Sequence, residues 1–326
     1  MLSGIAAAFL SLFLSGTAAE EAVWRVGAPI LCPGPPGTFD ETAVKDPTIV
    51  CHEGMWHLFY TARGRDSYLI GYVAADELAK LESAKRYPLE QLRGRTDPYA
   101  AAPQVFYFAP QERWYLVFQT RDSNYQPVYA TTERIGNPDS WSAPAVLAEK
   151  KDDAKWIDFW VICDETTAYF FYTRDHRDLY VMTTELADFP RGFGNPRKVF
   201  GPVHEAVHIY KAKGRDEYHM LYETRFKKDF RRYGLATAKA LAGPWTRVTS
   251  NYARARQLRW DSGAVPWTEE VSHGEMLRSG FDQCLEYDPA ESRFLIQGIR
   301  ASQHRGPYPK LPWSLGIIRL VRAPGE

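Results

Sequence analysis

The sequence predicts an all-β protein built as a five-bladed β-propeller, on three observations. Five strand–turn–strand units, each trailed by a further strand, recur along the chain at intervals of a few tens of residues. Helical periodicity is scarce. No Ser/Gly/Pro-rich linker divides the 326 residues, which disfavours the competing architecture of two β-sandwiches in tandem. One blade cannot bury both faces of its small sheet, so repeated meanders imply a closed ring.

The units follow in order. Residues 48–61 (TIVCHEGMWHLFYT) read as two strands around a His-Glu-Gly turn, and residues 69–74 as a third strand. Residues 105–120 (VFYFAPQERWYLVFQT) repeat the design, followed by 127–132. Residues 155–172 (KWIDFWVICDETTAYFFY) give the third unit, with its turn at Asp164-Glu165-Thr166-Thr167 and a trailing strand at 179–184. Residues 206–222, turning at Gly214-Arg215-Asp216, and 233–238 form the fourth. Residues 283–297 (QCLEYDPAESRFLIQ), closed by 315–320, are the expected fifth. Residues 25–40 are expected to lend a strand to the last blade and close the ring. The clearest helix candidate is residues 76–86 (DELAKLESAKR), an excursion from the sheet.

Composition narrows the function. The chain is 45% hydrophobic and 14% aromatic, enough for a large core. Lys+Arg and Asp+Glu stand at 40 each, so no net field favours nucleic acid or an anionic membrane, and a neutral partner is expected. Residues 1–19 (MLSGIAAAFLSLFLSGTAA) read as a cleaved export signal, although the segment before the apolar run has no Lys or Arg. The alternative is an apolar N-terminal helix of the mature protein; the run is short for a membrane span. Residues 20–326 then form a single domain, secreted or periplasmic and expected to be monomeric. The four cysteines, Cys32, Cys51, Cys163 and Cys284, match no zinc or CxxC spacing. A Cys32–Cys284 bridge is one of three connectivities they allow, while Cys51 and Cys163 lie in apolar strand runs and read as buried thiols.

Chemistry is signalled by misfits. Asp158 interrupts the run Trp156, Ile157, Phe159, Trp160, where an ionised carboxylate is costly without a partner. The same misfit recurs at Asp46 and Glu205, just ahead of the first and fourth units. In a propeller the first strand of each blade lines the central channel, so these three carboxylates are expected to converge on one pocket. Two carboxyl groups flanking a sugar ring are what glycoside hydrolysis requires, and a third nearby would raise the pKa of the acid. Most aromatic residues read as blade packing; Trp156, beside the carboxylates, is the foremost choice for a sugar-stacking face. The cluster 225–232 (RFKKDFRR) reads as a solvated hairpin tip, with a substrate-facing rim as the alternative. His52, His57, His208 and His219 read as structural.

The stretches VKDPT (44–48), APQVFYFAPQERWYLVFQ (102–119), WSAP (141–144), WIDFWVI (156–162), ADFPRGFG (187–194), HEAVHIY (204–210), LAGPW (241–245), SHGEMLRS (272–279) and KLP (310–312) together resemble glycoside hydrolase family 62, the α-L-arabinofuranosidases that trim arabinose from arabinoxylan. The resemblance runs from about Asp46 onward. It implies an inverting mechanism with Asp46 as general base, Glu205 as general acid, and Asp158 tuning and orienting that acid. It also implies an arabinose contact at Lys45 and a late substrate-binding loop containing Gln297, Arg300 and Tyr308. Because Asp46 precedes Pro47 it should be extended, which would turn Lys45 and Asp46 to opposite faces. His273 matches a histidine that faces the channel axis in related propellers, where a structural calcium ion can sit with mostly water ligands; a hydrogen-bonded core histidine is the alternative, and Glu275 is equally open. No cofactor is required. Pro47 is more similar to family 43, which keeps a β-xylosidase or arabinanase in view, and a carbohydrate-binding propeller without turnover is the rival from another class. Burial and Asp158 are expected to keep Glu205 protonated near neutral pH.

Overall fold

The computed structural model describes residues 23–226 and 230–321; the expected export signal lies outside them. The short N-terminal strand β1 (Val23–Val26) belongs to the last blade. Blade one is β2 (Ala43–His52), β3 (Met55–Arg63), β4 (Tyr68–Ala75) and β5 (Arg86–Pro88). Blade two is β6 (Ala100–Phe108), β7 (Arg113–Thr120), β8 (Gln126–Thr132) and β9 (Ala145–Val146). Blade three is β10 (Trp156–Cys163), β11 (Thr167–Arg174), β12 (Asp178–Glu185) and β13 (Gly194–Phe200). Blade four is β14 (Glu205–Ala212), β15 (Tyr218–Phe226), β16 (Phe230–Ala238) and β17 (Thr246–Ala253). Then come β18 (Leu258–Trp260), β19 (Ser272–Met276), β20 (Glu286–Tyr287), β21 (Arg293–Gly298) and β22 (Ser314–Val321). The five sheets form a five-bladed propeller.

The ring closes through β1, which pairs antiparallel with β22 and parallel with β18, so both ends of the described chain share one blade. Trp24 anchors the closure: it is fully buried, and its indole N–H donates to the Tyr252 carbonyl at 2.9 Å. The closing strand is shorter and earlier than the expected 25–40. The fifth blade also differs. Its innermost strand is β19, not the predicted hairpin at 283–297, and residues 286–287 pair with β14 of blade four. Ser272–Met276 is buried throughout but reads SHGEM, so polar residues at core positions hid a strand from hydrophobic periodicity. The helix expected at 76–86 is a 3₁₀ turn at Leu78–Ser83 leading into β5, because one buried residue, Leu81, is too little apolar face to hold a longer helix. All four cysteines are free. Cys163 is buried as expected, whereas Cys51 is exposed at the end of β2.

The innermost strands of all five blades carry a bulge. Register shifts fall between Lys45 and Thr48, Ala101 and Gln104, Ile157 and Trp160, Glu205 and His208, and Ser272 and Gly274. In four blades a non-glycine residue there has positive φ: Asp46 (45°), Ala102 (52°), Asp158 (54°) and Ala206 (48°). A left-handed residue re-aims the side chains around it and tightens the local twist.

Candidate active site

The bulges place the three carboxylates. Asp46 and Asp158 occupy the left-handed positions of blades one and three, and Glu205 immediately precedes that of blade four. Blade two has the uncharged Ala102 at the equivalent position. The side chains meet in a cavity of about 370 Å³ that Lys45, Tyr68, Tyr99, Gln119, Arg121, Tyr125, Lys155, His176, Arg225, Arg231, His273 and Tyr308 also line. The expected opposition of Lys45 and Asp46 is overturned, since the left-handed φ at Asp46 turns both inward and leaves Lys45 Nζ 4.0 Å from Asp46 Oδ2.

Each carboxylate has its own support. The Asp46 amide donates to Gln297 Oε1 at 2.9 Å, and Gln297 in turn donates to Ser272 Oγ at 3.1 Å. Gln297, expected to touch substrate, is fully buried and instead fixes the backbone of Asp46. His273 Nδ1 lies 3.3 Å from Asp46 Oδ1 and 4.0 Å from Asp158 Oδ1, under both. Asp158 Oδ2 accepts the Ala206 amide at 2.8 Å, which ties it to the residue following Glu205. Burial, followed by the charges of Glu205 and Asp46, raises the Asp158 pKa against the pull of His273.

Glu205 is held differently from the sequence expectation. Burial would push its pKa up, but Arg231 foremost, then His176 and His204, bring it well below the usual carboxylate range. Arg231 Nη1 donates both to Glu205 Oε1 and, at 2.8 Å, to the fully buried Glu223. The resting pocket therefore holds Glu205 ionised and favours a proton on Asp158. The sequence concealed the guanidinium responsible, because Arg231 sits in the RFKKDFRR cluster that reads as a hairpin tip.

His176, His204 and Glu205 have ligating atoms within 4.8 Å of one another, the donor set of a metal site. The hydrogen bonding argues otherwise. Lys155 Nζ lies 3.0 Å from His176 Nε2, and an ammonium can only donate, so Nε2 accepts and the ring proton sits on Nδ1, 3.1 Å from Glu205 Oε2. A metal would need that Nδ1 lone pair. His204 stacks on His176 with ring centroids 5.0 Å apart, and burial lowers its pKa to about 4, so it packs against Glu205 as a neutral ring.

The channel axis beside His273 is where a structural calcium ion is expected. Where the inner strands converge, Glu275 is paired with Arg278 at 3.0 Å, and the Arg278 guanidinium takes the carbonyls of Ile49 and Val105 at 2.9 Å each. Calcium seeks six to eight oxygen ligands. Around His273 the described oxygen donors are the Asp46 and Asp158 carboxylates, 3.3 and 4.0 Å from Nδ1, so a calcium ion there would take most of its ligands from water.

Two further expected contacts lie elsewhere. Arg300 faces a separate surface cavity and donates through Nε to the Pro266 carbonyl at 2.6 Å. Trp156 is 2% exposed, stacks on Tyr172 at 4.1 Å, and lines a different cavity, because side chains alternate along β10 and its neighbour Ile157 takes the catalytic side. Tyr308 is in place: its ring lies beneath Lys45 Nζ (4.5 Å) and the Arg231 guanidinium (5.2 Å). Lys45 stays charged, its pKa raised because Tyr308 and Asp46 outweigh its burial.

The family model for glycosyl hydrolase family 62 matches residues 36–319. The chain belongs to glycosyl hydrolase family 62. This family 62 chain is 33% identical over 317 residues to α-L-arabinofuranosidase C of Cellvibrio japonicus, a match covering 92% of the chain and 47% of that relative, so the chain spans about half the relative's length. Among solved structures, the catalytic domain of a Coprinopsis cinerea family 62 α-L-arabinofuranosidase matches at 33% identity with a TM-score of 0.84, covering 92% of this chain and 98% of that one. An α-L-arabinofuranosidase from Podospora anserina in complex with cellotriose matches at 32% identity with the same TM-score, covering 93% and 98%.

Sequence reasoning missed His176, His204, Glu223 and Arg231 in the family 62 chain. Arg231 and Glu223 had a legible signal: counting back by twos from the buried Tyr233 puts Arg231 on its face of β16, and Glu223 is the cross-strand partner of Tyr233 on β15. His176 had none. It lies in a turn between β11 and β12, and only the closure of the ring brings that turn to Glu205.

Proposed function

We propose that this family 62 chain is an exported enzyme that releases terminal α-L-arabinofuranosyl groups from arabinoxylan-type polysaccharide with inversion of configuration. The observation that carries the reading is the convergence of Asp46, Asp158 and Glu205, from recurrent bulges in three blades, on one cavity. The family relationship and the arabinofuranosidases it resembles support the substrate class; the apolar segment at residues 1–19 supports export.

Asp46 takes a proton from the attacking water, whose oxygen bonds the anomeric carbon from the face opposite the leaving group. The glycosidic C–O bond breaks, and Glu205 gives its proton to the departing xylan oxygen. Solvent then returns Asp46 and Glu205 to their starting states. Lys45 and Tyr308 line the sugar-binding wall, and Asp158 positions Glu205 through the Ala206 amide. Glu205 must be protonated at transfer, so the glycosidic oxygen enters between it and Arg231 and relieves the contact that keeps it ionised. Substrate thus raises the pKa of the acid, and the alkaline limb of kcat is expected at higher pH than that of kcat/KM.

The deciding experiment compares sugar release from wheat arabinoxylan and from linear arabinan by wild type and Glu205→Ala. Arabinose from arabinoxylan, lost in the variant, supports class, substrate and acid together. Arabinose from arabinan alone, or xylose as the product, transfers the protein to the family 43-like readings. No release from either polymer favours a binding propeller.

A further inference from the structure

A second cavity, of about 520 Å³, opens between the outer strands of blades two and three. Nothing in the proposed mechanism uses it. We infer that it is a non-catalytic carbohydrate site that holds xylosyl units of the same polysaccharide whose side groups enter the catalytic pocket, an inference resting on the proposed function for the identity of the polymer.

Three observations point to a sugar. First, Trp156 Nε1 and Tyr172 Oη belong to side chains that are 2% and 0% exposed, both line the cavity, and neither atom has a hydrogen-bond partner in the protein. Buried polar groups are nearly always satisfied, and leaving one unpaired is costly. A donor-only indole N–H beside a phenol that donates or accepts suits hydroxyl groups. Second, Tyr180 and Phe193 are half-buried and line the same cavity, so they offer aromatic surface against which the C–H groups of a pyranose can pack. Tyr180 continues a stack from Trp156 through Tyr172, with centroids 4.1 and then 5.8 Å apart. Third, the mouth carries hydrogen-bonding groups of both signs: Arg174 Nη2 lies 3.2 Å from Asp152 Oδ2, and Glu149, Lys151 and Arg191 line the cavity as well, giving donors and acceptors for sugar hydroxyls.

Position supplies the link to the polymer. The two cavities stand on opposite sides of β10, where Trp156 lines one and Ile157 the other, so a single strand separates them. A polysaccharide held in the outer cavity stays at high effective concentration beside the catalytic pocket.

The test uses xylohexaose and linear xylan, which carry no arabinose, with wild type, Tyr180→Ala/Phe193→Ala, and Val146→Arg. Val146 is 47% exposed at the cavity wall, so a long charged side chain there obstructs the mouth without disturbing the core. Expected results are retardation of wild type in a linear xylan gel, about tenfold weaker binding of xylohexaose by both variants, and a raised KM on arabinoxylan. Turnover of 4-nitrophenyl α-L-arabinofuranoside should stay within about twofold. Unchanged retardation and unchanged polymer KM in both variants, or no retardation of wild type, would overturn the inference and leave a solvent-filled cavity. If wild type cleaves no arabinofuranoside yet is retarded, and the variants lose retardation, the proposed activity fails while the binding site stands.

Discussion

Glu205, the proposed acid, is governed by side chains that reach it from three separate segments. Arg231 of β16, His176 of the β11–β12 turn and His204 ahead of β14 all face Glu205, while Asp158 lies behind it on the Ala206 amide. His176 is a positioning residue whose tautomer is set by Lys155, with Nδ1 3.1 Å from Glu205 Oε2 and the ring lowering the pKa of that carboxyl. A donor to the ionised form lowers a carboxylic pKa, so removing it raises that pKa. His176→Phe is therefore expected to move the alkaline limb of kcat/KM to higher pH, because more Glu205 stays protonated. His176→Asn, which keeps a donor near the Nδ1 position, should restore the wild-type limb. A purely structural His176 would change the amplitude of both profiles and shift neither.

The recurring element is the bulged inner strand. Its left-handed residue carries strain, of about 1–3 kcal/mol for a non-glycine side chain. Asp46 and Asp158 bear that strain where it aims a carboxylate, and Ala102 bears it with no polar group to aim. Ala102→Gly should consequently raise the melting temperature by about 2 °C, the equivalent of roughly 1 kcal/mol in a domain of this size, with kcat unchanged. Thermal unfolding followed by circular dichroism reads this directly, and a lower melting temperature would show that the methyl packing of Ala102 outweighs its strain. The same bulge accounts for what the local sequence concealed. Two-residue alternation places Lys45 opposite Asp46, and the left-handed turn at Asp46 brings them side by side.

Across the molecule, the ring is held at its axis by charge and at its seam by β1. Arg278 reaches carbonyls of blades one and two from the end of β19 and is matched by Glu275, so an internal guanidinium ties inner strands of separate blades together. Breaking a buried pair from one side strands a charge, whereas removing both partners does not. Glu275→Leu and Arg278→Met should each cost about 3–5 kcal/mol of stability, and the double variant clearly less than the sum. Urea unfolding of the four proteins checks this, and a chelator should leave the wild-type midpoint and its activity unchanged; a fall on chelation would show that a metal shares the axis.

The sequence by itself determined the propeller, because five meanders without a linker have few other ways to bury both faces. It also marked Asp46, Asp158 and Glu205, since a carboxylate inside an aromatic strand breaks the pattern around it. Tertiary structure alone decided which groups surround those carboxylates and therefore where the resting proton resides. His176 looks like a solvated loop residue until the ring closes, Trp156 lies two residues from Asp158 yet lines a different cavity, and Gln297 is buried behind Asp46 instead of facing substrate. The physical reason is range: hydrophobic period is a property of neighbours along one strand, whereas the ionisation of Glu205 depends on cations carried there by other segments.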